Sequence, residues 1–292
     1  LKHITSVFKE SKMSTHARWI APLFLLLASV TWGDDSETVD EVASNEASAQ
    51  RIAELADKYE FFTDATKANP LQREPKPILK YTNAIRGDVF GNVFVWTHEG
   101  RPEVIGAIFD FRSEDKFDSE LHTLARPTIV AVRDEQTFWK PSKPGVTFES
   151  LPGAQAPATT ATGRLRQMRD FSRDFTVERI HPEQGKESLR VLPQPIYRYS
   201  SPEQEVVDGA IFVFVEGTDP ETFLLLEATG GEGSKWRFAL ARMNIVDFSA
   251  SYQGKKVWSV APIEWDTVFD GQEPYAIIRE NPRRGLVRKA TN

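Results

Sequence analysis

Residues 75–109 open on Pro75-Lys-Pro-Ile-Leu-Lys-Tyr81, and 118 positions later Pro193-Gln-Pro-Ile-Tyr-Arg-Tyr199 opens a segment that aligns with them without a gap. Ten of the 35 aligned positions are identical, among them Tyr81/Tyr199, Gly91/Gly209, Phe94/Phe212, Val95/Val213, Pro102/Pro220 and Glu103/Glu221. About two identities would arise by chance at average residue usage. Leu124-Ala-Arg126 then matches Leu240-Ala-Arg242 at an offset of 116, and a tryptophan closes each copy, Trp139 and Trp258. An internal duplication of this kind constrains architecture and domain boundaries. It carries no chemistry by itself.

The copies suggest a division of the 292 residues. Residues 1–33 read as a secretory signal peptide: a short basic stretch from Met13, the expected start, to Arg18, then the apolar run Trp19–Trp32, with small residues before an acidic stretch. That run is too short to be a preferred membrane span. Residues 34–48, rich in acid and small side chains, read as a flexible linker. Repeat 1 is expected over 49–140 and repeat 2 over 164–280, joined by a Pro/Gly-rich linker at 141–163 and followed by a loose basic tail at 281–292. Ile52, Leu55, Ala56 and Tyr59 recur at helical spacing, as do Leu165, Met168, Phe171, Ser172 and Phe175. Each helix is followed by a Pro-rich approach and then by hairpin strands, Gly91–Trp96 with Glu103–Phe109 and Gly209–Val215 with Phe223–Leu226. These runs are apolar on both faces, so both faces are expected to be buried.

The fold class predicted from this pattern is α+β. It is a tandem of two units, each an amphipathic helix followed by an antiparallel sheet of about four to six strands, packed in pseudo-twofold fashion. A cystatin-like or NTF2-like shape, or a partly closed barrel in each repeat, is the nearest analogy.

Composition narrows the function. There is no cysteine, which excludes disulfides, thiolate metal sites and a cysteine nucleophile. Without residues 1–33 the chain holds 32 basic and 41 acidic side chains, a formal charge of −9, so nucleic acid is not an expected partner. Export places the protein in the periplasm or outside the cell, with no stable membrane span once the signal is removed. No metal, cofactor or catalytic residue is predicted, and the partner is an unidentified ligand or protein.

Residues that break the symmetry between the copies are the first place to look for a site. His98 and His122 occupy positions where the second copy has Glu216 and Phe238, and Trp96 lies near His98. These three are the candidate ligand-binding residues, with a repeat-interface groove as their expected setting. Glu103 and Glu221 resemble an acid/base pair, although a polar start to each hairpin strand explains them more simply. Gly230-Gly-Glu-Gly-Ser-Lys235 lacks phosphate-loop spacing and reads as a hairpin turn. Arg166, Arg169 and Arg173 form a ridge whose charge Asp170 and Asp174 can balance on a solvated helix face. Arg126 and Arg242, present in both copies, read as scaffold residues, for instance capping a carboxylate.

Phe94-Val-Trp-Thr-His-Glu-Gly-Arg-Pro-Glu103, Arg164-Leu-Arg-Gln-Met-Arg169, Gln194-Pro-Ile-Tyr-Arg-Tyr199, Asp208-Gly-Ala-Ile-Phe-Val-Phe-Val215 and Leu240-Ala-Arg-Met243 together resemble an uncharacterised family of predicted exported proteins of planctomycete bacteria. The resemblance spans roughly residues 75 to 278 and implies export, but no activity, cofactor or site residue. The expected function is therefore an exported, non-enzymatic binding or protein-interaction module. The competing expectations are a secreted hydrolase using a carboxylate or histidine at the repeat interface, and a structural envelope component.

Overall fold

Strand dominates the chain. The computed structural model describes residues 39–83, 88–124, 129–181, 185–281 and 285–286. Two α-helices occur among them, α1 (Val39–Ala56) and α2 (Ala161–Asp174), against three antiparallel sheets, part of which curls into a half-barrel. The signal segment 1–33, Arg126 and most of the basic tail lie outside the described residues.

This corrects the α+β expectation: the protein is mostly β, and it is not a repeat of one helix plus one sheet. The reason lies in the long strands. Val93 and Val95 point to one face of Val89–His98, and Phe94 and Trp96 to the other, so every position from Val89 to Thr97 is buried. Val206–Glu216 alternates likewise, with Ile211 and Val213 on one face and Phe212 and Phe214 on the other. Strands of ten and eleven residues expose too much apolar surface for helices of 18 and 14 residues to cover alone. The meanders therefore lie face to face around a shared core, which draws on Val93, Val95, Ile105, Ile211, Val213 and Phe223.

Nor does each copy own its sheet. The seven-stranded sheet contains Val89–His98, Arg101–Phe111 and Lys116–Thr123, but its next strand is Tyr275–Asn281, from the end of the second repeat. The nine-stranded sheet contains Val206–Glu216, Asp219–Thr229 and Trp236–Arg242, and its last strand is Glu149–Ser150, from the segment expected to be an inter-repeat linker. A separate three-stranded sheet, Glu60–Phe62, Val130–Arg133 and Gln136–Trp139, covers the outer face of the seven-stranded sheet together with α1. The tail strand was hidden because Tyr-Ala-Ile-Ile is short. Tyr275 and Ile277 enter the shared core and Ala276 the outer one.

The helices differ in detail from their sequence patterns. α1 starts at Val39, so most of the expected linker is helical. Ser48, inside that segment, is buried and donates to Asp110 Oδ2 at 2.8 Å, while Arg51 Nη2 reaches the same oxygen at 2.6 Å. α2 starts where Thr160 accepts a hydrogen bond from the Gly163 amide at 3.1 Å, a side-chain cap for an otherwise orphaned donor. Its apolar stripe buries Met168, with Leu165 and Phe171 packed beside it.

Leu124 and Leu240, which match in sequence, are not structural equivalents. The carbonyl of Glu103 accepts from the Leu124 amide, and that of Glu221 accepts from the Met243 amide. Leu124 thus corresponds to Met243, three residues past Leu240. Arg242 corresponds to Thr123, each pairing with the matching residue of the preceding strand. Arg242 caps carbonyls rather than a carboxylate. It donates to Asn244 and Ala261 at 2.7 Å, and also to Val246.

Candidate functional site

The chain returns through a two-residue turn, Glu99-Gly100, in which both residues have positive φ (50° and 81°). Such a turn matches the twist of the strands it joins. It starts Arg101–Phe111 so that Arg101 and Glu103, two residues apart, face the shared core. There they meet Glu227 and Arg237, a directly opposed pair in the second sheet.

Glu227 is the centre of the resulting lattice. Arg101 Nε donates to its Oε1 at 2.8 Å, the Tyr199 hydroxyl to the same oxygen at 2.8 Å, and Arg237 Nε to Oε2 at 2.6 Å. Arg101 Nη1 also holds Glu103 at 3.1 Å, and Gln204 donates to Glu103 at 3.3 Å. The Arg101 side chain is 1% exposed and that of Glu227 0%. Two arginines balance two glutamates, which is what permits such burial. Burial raises the Glu103 carboxyl above the ordinary carboxylate range, and Arg101 opposes that rise. Burial, then the charge of Glu227, holds the Tyr199 hydroxyl well above 10, so it stays a donor. Both guanidiniums lie over the ring of Phe148, at 4.9 and 5.0 Å from its centroid. Arg101 Nη2, Arg237 Nη2 and Glu103 Oε2 are shielded from solvent and have no hydrogen-bond partner among the described residues.

Beside the lattice the segment 144–150 separates from the sheet. Only Glu149 and Ser150 pair with Arg237 and Phe238, and a cleft of about 450 Å³ opens there, bordered by Pro144, Val146, Phe148, Ser150, Lys235 and Arg237. Lys235 ends the Gly-rich run, which forms the expected turn between strands, closed by a Thr229 amide to Lys235 carbonyl bond of 2.9 Å. The cleft combines cations, the Glu149 carboxylate, hydroxyls and an apolar wall at the edge of a buried charge network. This is the candidate site.

The three residues predicted from sequence do not form one. Trp96 is buried in the outer core against Phe61, whereas His122 pairs with Ile105 and faces the shared core on the opposite side of the same sheet. His122 lies between two strands, paired also with Tyr275, and its Nδ1 is 2.8 Å from its neighbour Thr123's carbonyl oxygen. Burial lowers its pKa to about 4, with Arg242 adding to the effect and the Thr123 contact opposing it. His98 sits in the hairpin with a 30% exposed side chain, 3.9 Å from Glu99. It borders a separate cleft of about 370 Å³ with Asn69, Gln72, Thr97 and Glu99.

The two matching glutamates are also separate. Glu221 is held by Arg179 at 2.9 Å and Asn244 at 3.1 Å, while Glu103 belongs to the Arg101 lattice. Each is a buried ion-pair partner, rather than merely a polar residue starting a strand. On α2, Asp170 lies 3.0 Å from Arg173 and 4.0 Å from Arg166, whose side chain is 87% exposed, a solvated ion-paired ridge. Among the described residues no group of three or more histidine or acidic side chains could hold a metal, and no helix is long and apolar enough to cross a membrane.

The sequence already contained the lattice. In the aligned copies Arg101 stands against Asp219 and Phe109 against Glu227, so both central residues break the symmetry as clearly as the histidines do. No family model, curated protein or solved structure matches the chain at a significant level.

Proposed function

We propose that this chain is an exported binding module without catalytic machinery of its own, and that its ligand enters the cleft between the 144–150 segment and Trp236–Arg242. The cleft carries this reading. It brings Lys235, Arg237 and Ser150 together with Pro144, Val146 and Phe148, a mixture of a few polar groups and an apolar wall suited to small-molecule recognition. The buried groups behind it are engaged in holding the sheets together: Glu227 has three donors, and Glu103 is fixed by Arg101. A general acid or base needs freedom to exchange a proton with substrate, which that lattice does not offer. The hydrolase alternative loses its basis in geometry, since His98 and His122 do not share a cavity. Export rests on the Met13–Gly33 sequence and on the resemblance to exported planctomycete proteins.

Thermal unfolding against a panel of sugars, short peptides, divalent metals, carboxylates and amines tests the proposal. A ligand present at ten times its Kd adds about 1.4 kcal/mol, roughly 3–6 °C in a domain of this size. At least one class is expected to raise Tm progressively with the logarithm of its concentration. A flat response throughout the panel, or turnover of chromogenic ester and glycoside substrates, would contradict it.

A further inference from the structure

We infer that the cleft's occupant is a small monoanion: a carboxylate carried on an apolar body. This deepens the binding-module reading and rests on it. The charge count comes from the pleat. Residues opposed across an antiparallel pair project to the same face, so Ser150, opposite Arg237, shares its side, and Phe148 shares it by alternation. Glu149 is opposite Phe238 and projects with it toward the face of the nine-stranded sheet that lies away from the shared core, so it meets the cleft from the rim. The charges on the inner side are then Lys235 and Arg237. Arg237 is already balanced by Glu227, 2.6 Å away, whereas Lys235 makes no ion pair among the described residues. With the Glu149 carboxylate at the rim counted apart, the inner side carries one positive charge more than negative, which matches one negative charge on a ligand.

The donors agree with this count. Arg237 borders the cleft with a 14% exposed side chain, whose accessible part can meet one carboxylate oxygen, while its Nη2 is shut off from the cleft. The Ser150 hydroxyl and Lys235 ammonium can serve the second oxygen. Pro144, Val146 and Phe148 offer the rest of the ligand an apolar wall, and about 450 Å³ is within the range of small-molecule sites. A phosphate dianion would bring one charge more than the cleft compensates.

Calorimetric titration of the full chain with phenylacetate, its neutral isostere phenylacetamide, and phenyl phosphate distinguishes these cases. Phenylacetate is expected to bind saturably and at least tenfold more tightly than either of the others. Lys235→Gln, at an exposed position that leaves the fold intact, is expected to weaken phenylacetate about tenfold, and Phe148→Ala to weaken it at unchanged charge. Equal binding of phenylacetamide, tighter binding of phenyl phosphate, or an unaltered Lys235→Gln variant would each overturn the inference. If no aryl probe binds and only a class other than carboxylates raises Tm in the thermal panel, the monoanion inference fails and the binding-module reading stands. If nothing binds in either experiment, both fail.

Discussion

Glu227 accepts from three side chains, Arg101, Arg237 and Tyr199, which join both sheets at a single carboxylate. Replacing one member of a buried ion lattice leaves another charge without a partner, typically at a cost of 3–5 kcal/mol. Arg101→Met is therefore expected to lower unfolding stability by about that amount in urea, because both Glu103 and Glu227 lose it. A change below about 1 kcal/mol would mean that the lattice is not desolvated. His122 predicts a pH dependence. Its imidazole is held neutral, with a pKa near 4 in the fold against an ordinary 6.5. Between those values the unfolded chain takes up a proton that the folded chain refuses. Stability is thus unaffected above about pH 6.5 and falls as pH drops toward 4, by about 3 kcal/mol in total. Urea midpoints measured from pH 7 to 5, above the main carboxylate range, should show this slope, and His122→Gln should flatten it. The asymmetry rule pointed to His98 and His122 because histidines are few. Arg101 and Glu227 meet the same rule, but nothing in the sequence marks an arginine and a glutamate as buried, and only the packing of two sheets shows it.

Among elements, the hairpins were the most legible, since double-sided apolar runs such as Val93–Trp96 have few ways to be covered. The Tyr/Gly pairs were visible as identities, but their meaning is a close approach. Tyr199 faces Gly209 across neighbouring strands, and a Cβ on Gly209 would lie 2.5 Å from the ring. Gly209→Ala should cost about 1–3 kcal/mol through overpacking. Adding Tyr199→Ala should give a double variant less destabilised than the sum of the two, since the clash disappears with the ring. Additive losses in a double-mutant cycle would refute that contact. Glu149–Ser150 and Tyr275–Asn281 were not legible. One is a two-residue edge in a Pro/Gly-rich stretch and the other a short run near a basic tail, and each becomes a strand only because a longer one offers it an edge. The Leu-Ala-Arg identity misled for the opposite reason, because similarity in sequence did not coincide with hydrogen-bond register.

At the scale of the molecule, the duplication read as two helix-plus-sheet units packed on one another, whereas the sheets take strands from outside the copy that supplies their meander. Tyr275–Asn281 completes the seven-stranded sheet, and the core between the meanders takes side chains from both copies. Neither half should fold alone. Residues 39–140 expressed separately are expected to give an undispersed NMR spectrum, whereas a dispersed one would show that the first meander is autonomous. The same strand exchange leaves Glu149–Ser150 as a short, splayed edge, which is what opens the cleft beside Arg237. The central claim is that ligand binding happens there. Its most direct test is an NMR titration of the full chain with phenylacetate. The account predicts saturable shifts at the Arg237 side-chain Nε–Hε group and at the amides of Phe148, Ser150 and Lys235, with Gln72, Thr97 and His98 unmoved. Shifts confined to the His98 cleft, with Arg237 silent, would contradict it.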